Sequence, residues 1–125
     1  MIVYGGLLSP FVRKVCLIAE EKGLAYELVQ LPPHSDRADF AEASPFGKIP
    51  ALRDGDYTLS DSSAISAYLE AKYPAAPMLP AEPGARGKAV WFDEFADTVL
   101  AGAGLKILFN RLVAPKLLKL PYDEA

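Results

Sequence analysis

The sequence predicts an α/β domain with the element order βαβ followed by ββα, and one long helix after that domain. Three observations predict this arrangement. Short β-branched segments flank an amphipathic helical stretch within the first 31 residues, and a strand–turn–strand pattern then precedes a second helical stretch. A cluster of prolines at residues 74–83 separates these elements from the last helix.

Composition and charge exclude several classes of protein. Of the 125 residues, 51% are hydrophobic and 23% are charged, so we expect a packed core rather than general disorder. The net charge of −3 and the lack of a dense basic stretch argue against a nucleic-acid partner. No apolar run approaches the roughly 18–20 residues that span a membrane, and no signal peptide is recognisable. We therefore expect a cytoplasmic protein with no membrane partner.

The chain has one cysteine, Cys16, and one histidine, His34. A single cysteine excludes an internal disulfide and a cysteine-rich zinc site, and we expect no metal site. Cys16 lies on the apolar face of the first predicted helix. This position favours a small buried side chain over a reactive thiol.

The first strand and helix are predicted from residues 2–4 (Ile-Val-Tyr) and 11–22. Ser9 is placed as the N-cap of this helix and Pro10 at its first position, where the missing N–H costs nothing, and Gly23 ends it. The serine hydroxyl thus lies at the positive end of a helix, which favours a negatively charged ligand atom. The alternative is that Ser9 only begins the helix.

The rest of the domain follows from local patterns. Residues 26–31 form a second strand, parallel to the first in a βαβ unit. Residues 34–43 are polar and fit either a short helix or an irregular surface segment. A hairpin is then predicted from residues 51–53, an Asp-Gly-Asp turn and residues 57–59. A dense group of N-cap residues at positions 60–63 begins the next helix.

These elements predict a domain over residues 1–76, a proline-rich linker at 77–84 and a helical region at 85–125. The helical region contains one amphipathic helix that runs from about Arg86 to Asn110. Pro115 is expected to end it.

Three separated segments resemble the N-terminal domain of the glutathione transferase family in order and approximate spacing. Residues 9–15 are Ser-Pro-Phe-Val-Arg-Lys-Val, residues 44–52 are Ser-Pro-Phe-Gly-Lys-Ile-Pro-Ala-Leu, and residues 59–65 are Leu-Ser-Asp-Ser-Ser-Ala-Ile. The serine-type classes, tau-like and related bacterial, are the most similar. The region around Trp91 resembles the first long helix of the family's all-helical C-terminal domain. The resemblance implies a thioredoxin-like βαβ–ββα domain followed by one long helix of a truncated all-α domain.

The resemblance also implies a glutathione site at the edge of the sheet. The hydroxyl of Ser9 would hydrogen-bond the glutathione sulfur and favour the thiolate, which is the nucleophile. Phe11 and Lys48 belong to the implied glutathione-binding residues. Ile49 would pair its main-chain N–H and C=O with the cysteinyl part of glutathione, just before a cis Pro50.

The two ends of glutathione have separate implied partners. Asp61 and Ser62 would receive the γ-glutamyl group, because a carboxylate suits its ammonium and a helix N-terminus with a hydroxyl suits its carboxylate. An ordinary N-cap is the alternative role for Asp61. For the glycine carboxylate, His34 and Arg37 are both candidates, and a solvated loop histidine is the alternative for His34.

Glutaredoxins share the thioredoxin-like fold and carry Cys-Pro-Tyr-Cys where residues 9–12 of this chain are Ser-Pro-Phe-Val. Both cysteine positions are lost, which excludes dithiol exchange. Monothiol chemistry would need a cysteine in place of Ser9. Cys16 lies too far along the helix to replace either cysteine.

The first functional hypothesis is a glutathione transferase, with glutathione as co-substrate and an electrophilic small molecule as the second substrate. The alternative is a non-catalytic glutathione-binding or protein-interaction module on the same scaffold, as stringent-starvation-like regulators illustrate. Glutathione-dependent isomerase or dehalogenase chemistry would use the same thiolate. The resemblance implies a homodimer, which would also cover the apolar stripe that contains Trp91 and Phe95. Because the family continues through further helices, three alternatives stay open: a fragment, a truncated product, or a chain completed by a partner.

Overall fold

A four-stranded mixed sheet forms the centre of the first part of the chain. In the computed structural model, which describes residues 1–121, the chain divides into two compact units, Met1–Leu79 and Pro80–Ala125. The sheet lies in the first unit and has the strand order β2-β1-β3-β4. Its strands are β1 (Ile2–Tyr4), β2 (Glu27–Val29), β3 (Ala51–Asp54) and β4 (Tyr57–Ser60).

Strand directions bring three chain segments to one edge of the sheet. β1 is parallel to β2 and antiparallel to β3, and β3 is antiparallel to β4. β1 and β4 therefore run in the same direction, and both end where β3 begins. The register agrees, because Tyr4, Ala51 and Ser60 lie in one row across the sheet. The predicted parallel βαβ unit and the predicted hairpin are both confirmed.

Three helices complete the first unit: α1 (Pro10–Glu21), α2 (Ala38–Ala43) and α3 (Ser62–Lys72). The Ser9 hydroxyl caps α1 by accepting a hydrogen bond from the Val12 N–H over 3.4 Å. At the other end Gly23 adopts φ +66°, and its N–H and that of Leu24 close a Schellman motif. Both predicted ends of α1 are thus confirmed. For the polar segment before β3, the short helix is the correct alternative.

The helices pack on opposite faces of the sheet. The face covered by α1 and α3 has a core cluster of Val3, Val12, Val15, Cys16, Leu52, Ile65 and Leu69. The face covered by α2 has a cluster of Tyr4, Leu31, Phe40, Ala43 and Ala51. Successive residues of β1 and β3 alternate between the two clusters, as the two-residue period of a strand requires. The predicted α/β, thioredoxin-like domain is confirmed.

Cys16 is 6% exposed within the first of these clusters. Burial raises the pKa of its thiol, which keeps the sulfur protonated and unreactive at neutral pH. The prediction of a small buried side chain is therefore confirmed.

The second unit is a long helix with two π-helical interruptions. It consists of α4 (Pro83–Phe95), a π-helical turn (Ala96–Leu100), α5 (Ala101–Leu108) and a second π-helical segment (Phe109–Leu118). Many of its large apolar side chains are exposed, Trp91 and Phe92 among them. Within residues 1–121, no helix combines the length and the apolar character that crossing a membrane requires.

Both predicted ends of this helix are corrected by the structure. It begins at Pro83 rather than near Arg86, because the Glu82 carboxylate caps it by accepting hydrogen bonds from two N–H groups, at 2.7 and 2.6 Å. The prediction that Pro115 ends it is wrong. Pro115 lies in the second π-helical segment, where the regular α-helical hydrogen bonds are already interrupted. The N–H that proline lacks therefore costs less stability here than in a regular α-helix. The helix ends at Lys119, which has φ +53°.

Candidate functional site

The segments that contain Ser9, Ile49 and Asp61 adjoin the edge where β1 and β4 end and β3 begins. The loop after β1 leads to Ser9 and into α1. The segment before β3 contains Ile49 and Pro50, and the turn after β4 contains Asp61 and leads into α3. Neighbouring strands lie about 4.8 Å apart, so the row at this edge is roughly 10 Å wide. The N-termini of two helices therefore meet one extended segment within the length of a short peptide.

The loop from Gly5 to Ser9 is held mainly by its own main chain. The Ser9 N–H donates to the Gly6 carbonyl at 3.0 Å, and the Gly5 N–H donates to the Val29 carbonyl of β2 at 3.0 Å. The Ser9 hydroxyl oxygen accepts the 3.4 Å bond from α1, and among residues 1–121 its hydrogen has no acceptor. That hydrogen is free to be donated to a ligand atom.

Gly5 is where the loop, α1 and the segment before β3 come into contact. It adopts φ +140°, a conformation that favours glycine. A Cβ at this position would lie 2.5 Å from Cγ2 of Val12 and 3.1 Å from Cβ of Ile49. A residue with any side chain here would therefore push the first turn of α1 away from Ile49.

The segment before β3 is fixed by a buried serine. Ser44 is 2% exposed, and its hydroxyl donates to the Lys48 carbonyl at 2.7 Å. The Ile49–Pro50 peptide bond is cis, as the resemblance implied. Within the described part of the chain, the main-chain N–H and C=O of Ile49 form no hydrogen bond. These two groups are thus open for pairing with an extended peptide.

Asp61 has both the geometry of an N-cap and a free oxygen. Its Oδ1 accepts hydrogen bonds from the Ser63 and Ala64 N–H groups, each at 3.0 Å, so its capping role is established. Its Oδ2 forms no hydrogen bond or ion pair with any residue from 1 to 121. Asp61 also adopts φ +83°, an uncommon conformation that costs about 1–3 kcal/mol and is found preferentially at functional sites. Ser62, the first residue of α3, is 4% exposed.

His34 and Arg37 occupy different environments. The His34 N–H donates to the Gly47 carbonyl at 2.7 Å, and a Cβ on Gly47 would lie 2.5 Å from its Nδ1. His34 thus packs on the loop that carries the exposed Lys48. Arg37 instead forms a two-pronged ion pair with Asp39, at 2.7 and 2.9 Å. Its hydrogen bonds raise the pKa of Arg37 and lower that of Asp39, so both charges are held against each other.

Two contacts at this edge could not be read from local sequence. The Tyr4 hydroxyl, fully buried, donates to Oδ2 of Asp39 at 3.1 Å, so it is engaged on the α2 side of the sheet. Nη1 of Arg13 donates to the Leu7 carbonyl at 3.0 Å. The Tyr4 pair is separated by 35 residues in sequence and has no local signal.

Phe11, also predicted in the site, is half-buried in the first turn of α1. In residues 1–121 no group of three or more metal-binding side chains is found.

Comparisons with known proteins point to one family. The family model for the glutathione S-transferase N-terminal domain matches residues 3–78. Glutathione S-transferase 3 of Zea mays is 37% identical over 120 residues, which cover 92% of this chain and 54% of the maize protein. A stringent starvation protein A homolog of Haemophilus ducreyi is 37% identical over 79 residues, or 63% of this chain and 37% of the relative.

Solved structures give the same result. Human glutathione S-transferase T1-1 has a TM-score of 0.83 and 32% identity, over 98% of this chain and 53% of the human chain. A theta class glutathione S-transferase from Xanthomonas axonopodis pv. citri, solved with glutathione bound, has a TM-score of 0.76 and 28% identity, over 87% of this chain and 54% of that chain. The chain spans about half the length of the curated relatives it matches.

Proposed function

Because the chain belongs to the glutathione S-transferase family through its N-terminal domain, we propose that it binds glutathione and activates the sulfur as a thiolate for attack on an electrophilic small molecule. The observation that carries this proposal is the convergence of three open polar features at one sheet edge. Among residues 1–121, they are the Ser9 hydroxyl, whose hydrogen has no acceptor, and the main chain of Ile49 and Oδ2 of Asp61, which form no hydrogen bond. Each matches one part of a short acidic peptide with a thiol.

Ser9 is the proposed catalytic residue. Its hydroxyl would donate a hydrogen bond to the glutathione sulfur, and the N-terminus of α1 adds positive potential at the same place. Both effects favour the thiolate over the thiol and so lower the thiol pKa. The thiol proton leaves to solvent, the sulfur lone pair forms a bond to an electrophilic carbon, and the displaced group departs with its electron pair.

The peptide part of glutathione would bind as an additional extended strand. The cysteinyl residue pairs its N–H and C=O with the main chain of Ile49, and cis Pro50 follows immediately. Phe11 supplies apolar surface beside Ser9 in the first turn of α1. Main-chain pairing fixes the direction of the peptide, and therefore places its thiol at Ser9.

The charged ends of glutathione would bind at separate places. Oδ2 of Asp61 accepts from the γ-glutamyl ammonium, while Ser62 and the N-terminus of α3 receive the neighbouring carboxylate. For the glycine carboxylate we favour His34 over Arg37, because both prongs of Arg37 are already engaged by Asp39. Lys48, exposed on the loop against which His34 packs, is a further proposed glutathione-binding residue.

A non-catalytic module is the second candidate, supported by the similarity to a stringent starvation protein A homolog. In that case the site would bind glutathione, or serve only as scaffold, without turnover. The cytoplasmic location, the homodimer and the division into residues 1–76, 77–84 and 85–125 belong to the same proposal. Isomerase or dehalogenase chemistry would need the same thiolate.

The test is glutathione conjugation to an activated aryl halide by the wild-type chain and by Ser9→Ala, with glutathione binding measured in parallel. Conjugation that falls in the variant while binding persists supports the transferase. Binding without conjugation by either protein supports the module. An equal loss of activity and affinity in Ser9→Ala would count against the proposed role of the hydroxyl. Ser35→Ala, which removes another loop hydroxyl that accepts from a main-chain N–H, is the matched control.

A further inference from the structure

The loop that carries Ser9 has few anchors for a catalytic segment. Leu7 and Leu8 are each 44% exposed, so their side chains contribute little packing. Besides the main-chain bonds and the Ser9 cap already described, the loop has one further side-chain hydrogen bond among residues 1–121: Nη1 of Arg13 donates to the Leu7 carbonyl at 3.0 Å. The geometry therefore gives Arg13 control over the position of the loop immediately before Ser9.

Arg13 lies in the first turn of α1, four positions after the N-cap Ser9. Side chains in a helix lean towards its N-terminus. The Leu7 contact demonstrates this lean, because the guanidinium reaches back past the start of α1. A permanent positive charge thus lies at the end of the helix where the sulfur of a bound thiol would be.

The charge of Arg13 has no ion-pair partner in the part of the chain that the structure describes. Among residues 1–121, no carboxylate forms a salt bridge with it, and its neighbours three and four positions along α1 are Ser9, Pro10, Cys16 and Leu17. Two other charged groups at this end are Lys14, whose Nζ donates to Ser63 at 3.3 Å, and Asp61, which caps α3. Neither replaces Arg13 at the Leu7 carbonyl.

We propose that Arg13 is a positioning residue for the thiolate step: it fixes the Ser9 loop through the Leu7 carbonyl and adds positive charge on the side where the sulfur binds. The inference rests on the proposed function. It concerns a residue that contacts the loop rather than the substrate. Its effect should therefore appear in the ionisation of bound glutathione rather than in the strength of binding.

The experiment is a pH titration of the thiolate absorbance of glutathione bound to the full chain, with the dissociation constant measured separately. We expect Arg13→Gln to raise the pKa of the bound thiol by about one unit. At pH values well below that pKa, the thiolate fraction of the variant would be about tenfold smaller than that of wild type. Its dissociation constant should change by less than about threefold. Arg13→Lys should give an intermediate shift, since it keeps the charge but loses the planar guanidinium. Arg86→Gln, which removes an exposed charge from α4, should give none.

The outcomes separate this inference from the proposal beneath it. If the wild-type chain does not bind glutathione, the proposed function and this inference both fail. If Arg13→Gln binds glutathione with an unchanged thiol pKa, only the role of Arg13 is overturned. If Arg13→Gln does not fold, the same titration is made on Arg13→Lys. An unshifted thiol pKa in that variant overturns the inference.

Discussion

Helix α1 begins and ends in opposite environments. At its start the Ser9 hydroxyl has a free hydrogen, and Arg13 is exposed and unpaired by any carboxylate among residues 1–121. At its end the Lys22 side chain is fully buried. Its Nζ contacts Oε2 of Glu70 at 2.7 Å and donates to the carbonyls of Tyr73 and Ala76 at 3.0 and 2.6 Å.

At the buried end of α1, the Glu70 carboxylate also has several hydrogen-bond partners. The Glu70 carboxylate accepts from the N–H groups of Met78 and Leu79 as well as from Lys22. Burial alone would raise the pKa of Glu70, but these hydrogen bonds outweigh it and lower the value to about 2. One end of α1 thus uses polar groups to stabilise the fold, and the other leaves them available to a ligand.

The largest expected effect comes from breaking the buried end. Glu70→Ala should destabilise the chain by about 3 kcal/mol, because it leaves Lys22 charged and buried without its partner. The double variant Lys22→Met/Glu70→Leu should be less destabilised than either single variant. Urea unfolding measures both. A loss below about 1 kcal/mol for Glu70→Ala would show that the pair contributes no more than a surface ion pair.

The open end should respond in activity rather than in stability. Ser9→Ala is expected to lower kcat for glutathione conjugation by about 100-fold, since it removes the donor to the developing thiolate. The lost cap should cost only about 1 kcal/mol of stability. Steady-state kinetics and thermal unfolding of the same preparation separate the two. A large stability loss with unchanged kcat would mean that Ser9 serves only as a cap.

Gly5 links the open end to the segment before β3, so it tests the geometry of the site. Gly5→Ala should cost about 2 kcal/mol and weaken glutathione binding, because the added Cβ would collide with Val12 and Ile49. Gly55→Ala is the matched control. Gly55 also has a positive φ, of +62°, but a Cβ there meets no atom within 4 Å. Its variant should lose less stability and keep its affinity. Equal effects would indicate backbone strain alone.

Acid should weaken the buried end. The pKa of Glu70 is about 2 in the folded chain, against 4.5 as its ordinary value. As the pH falls, the Glu70 carboxylate therefore takes up its proton at a higher pH in the unfolded chain than in the folded chain. The contribution of Glu70 to the free energy of unfolding is complete above pH 4.5 and is lost as the pH falls towards 2. We expect the free energy of unfolding of wild type to fall more steeply over this range than that of Glu70→Gln. Parallel slopes would contradict the assignment, since other carboxylates such as Asp54 titrate in both proteins.

The fold was largely predictable because its signals are local. Strand periodicity, the Ser9 cap, Gly23 and the turn before β4 each depend on residues close in sequence. The Lys22–Glu70 cluster was not predictable, since it joins the ends of two helices that only the folded sheet brings together. The early start of α4 depended on a glutamate cap, a weaker signal than serine or aspartate.

The residues of the candidate site could be named from the sequence, and the resemblance implied their place at the edge of the sheet. The register that puts Tyr4, Ala51 and Ser60 in one row across the strands could not be predicted. Whether His34 or Arg37 meets the glycine carboxylate could not be decided from sequence. Asp39, which binds Arg37, gives no signal that it also receives the Tyr4 hydroxyl across the sheet.

The most direct measurement is calorimetric titration of the chain with glutathione, beside its Asp61→Asn variant. Asparagine keeps an N-cap oxygen but removes the charge that would bind the γ-glutamyl ammonium. The account predicts saturable binding at one site per chain, weakened about tenfold in Asp61→Asn with folding intact. A folded wild-type chain that gives no saturable heat, or a variant that binds as tightly as wild type, would contradict it.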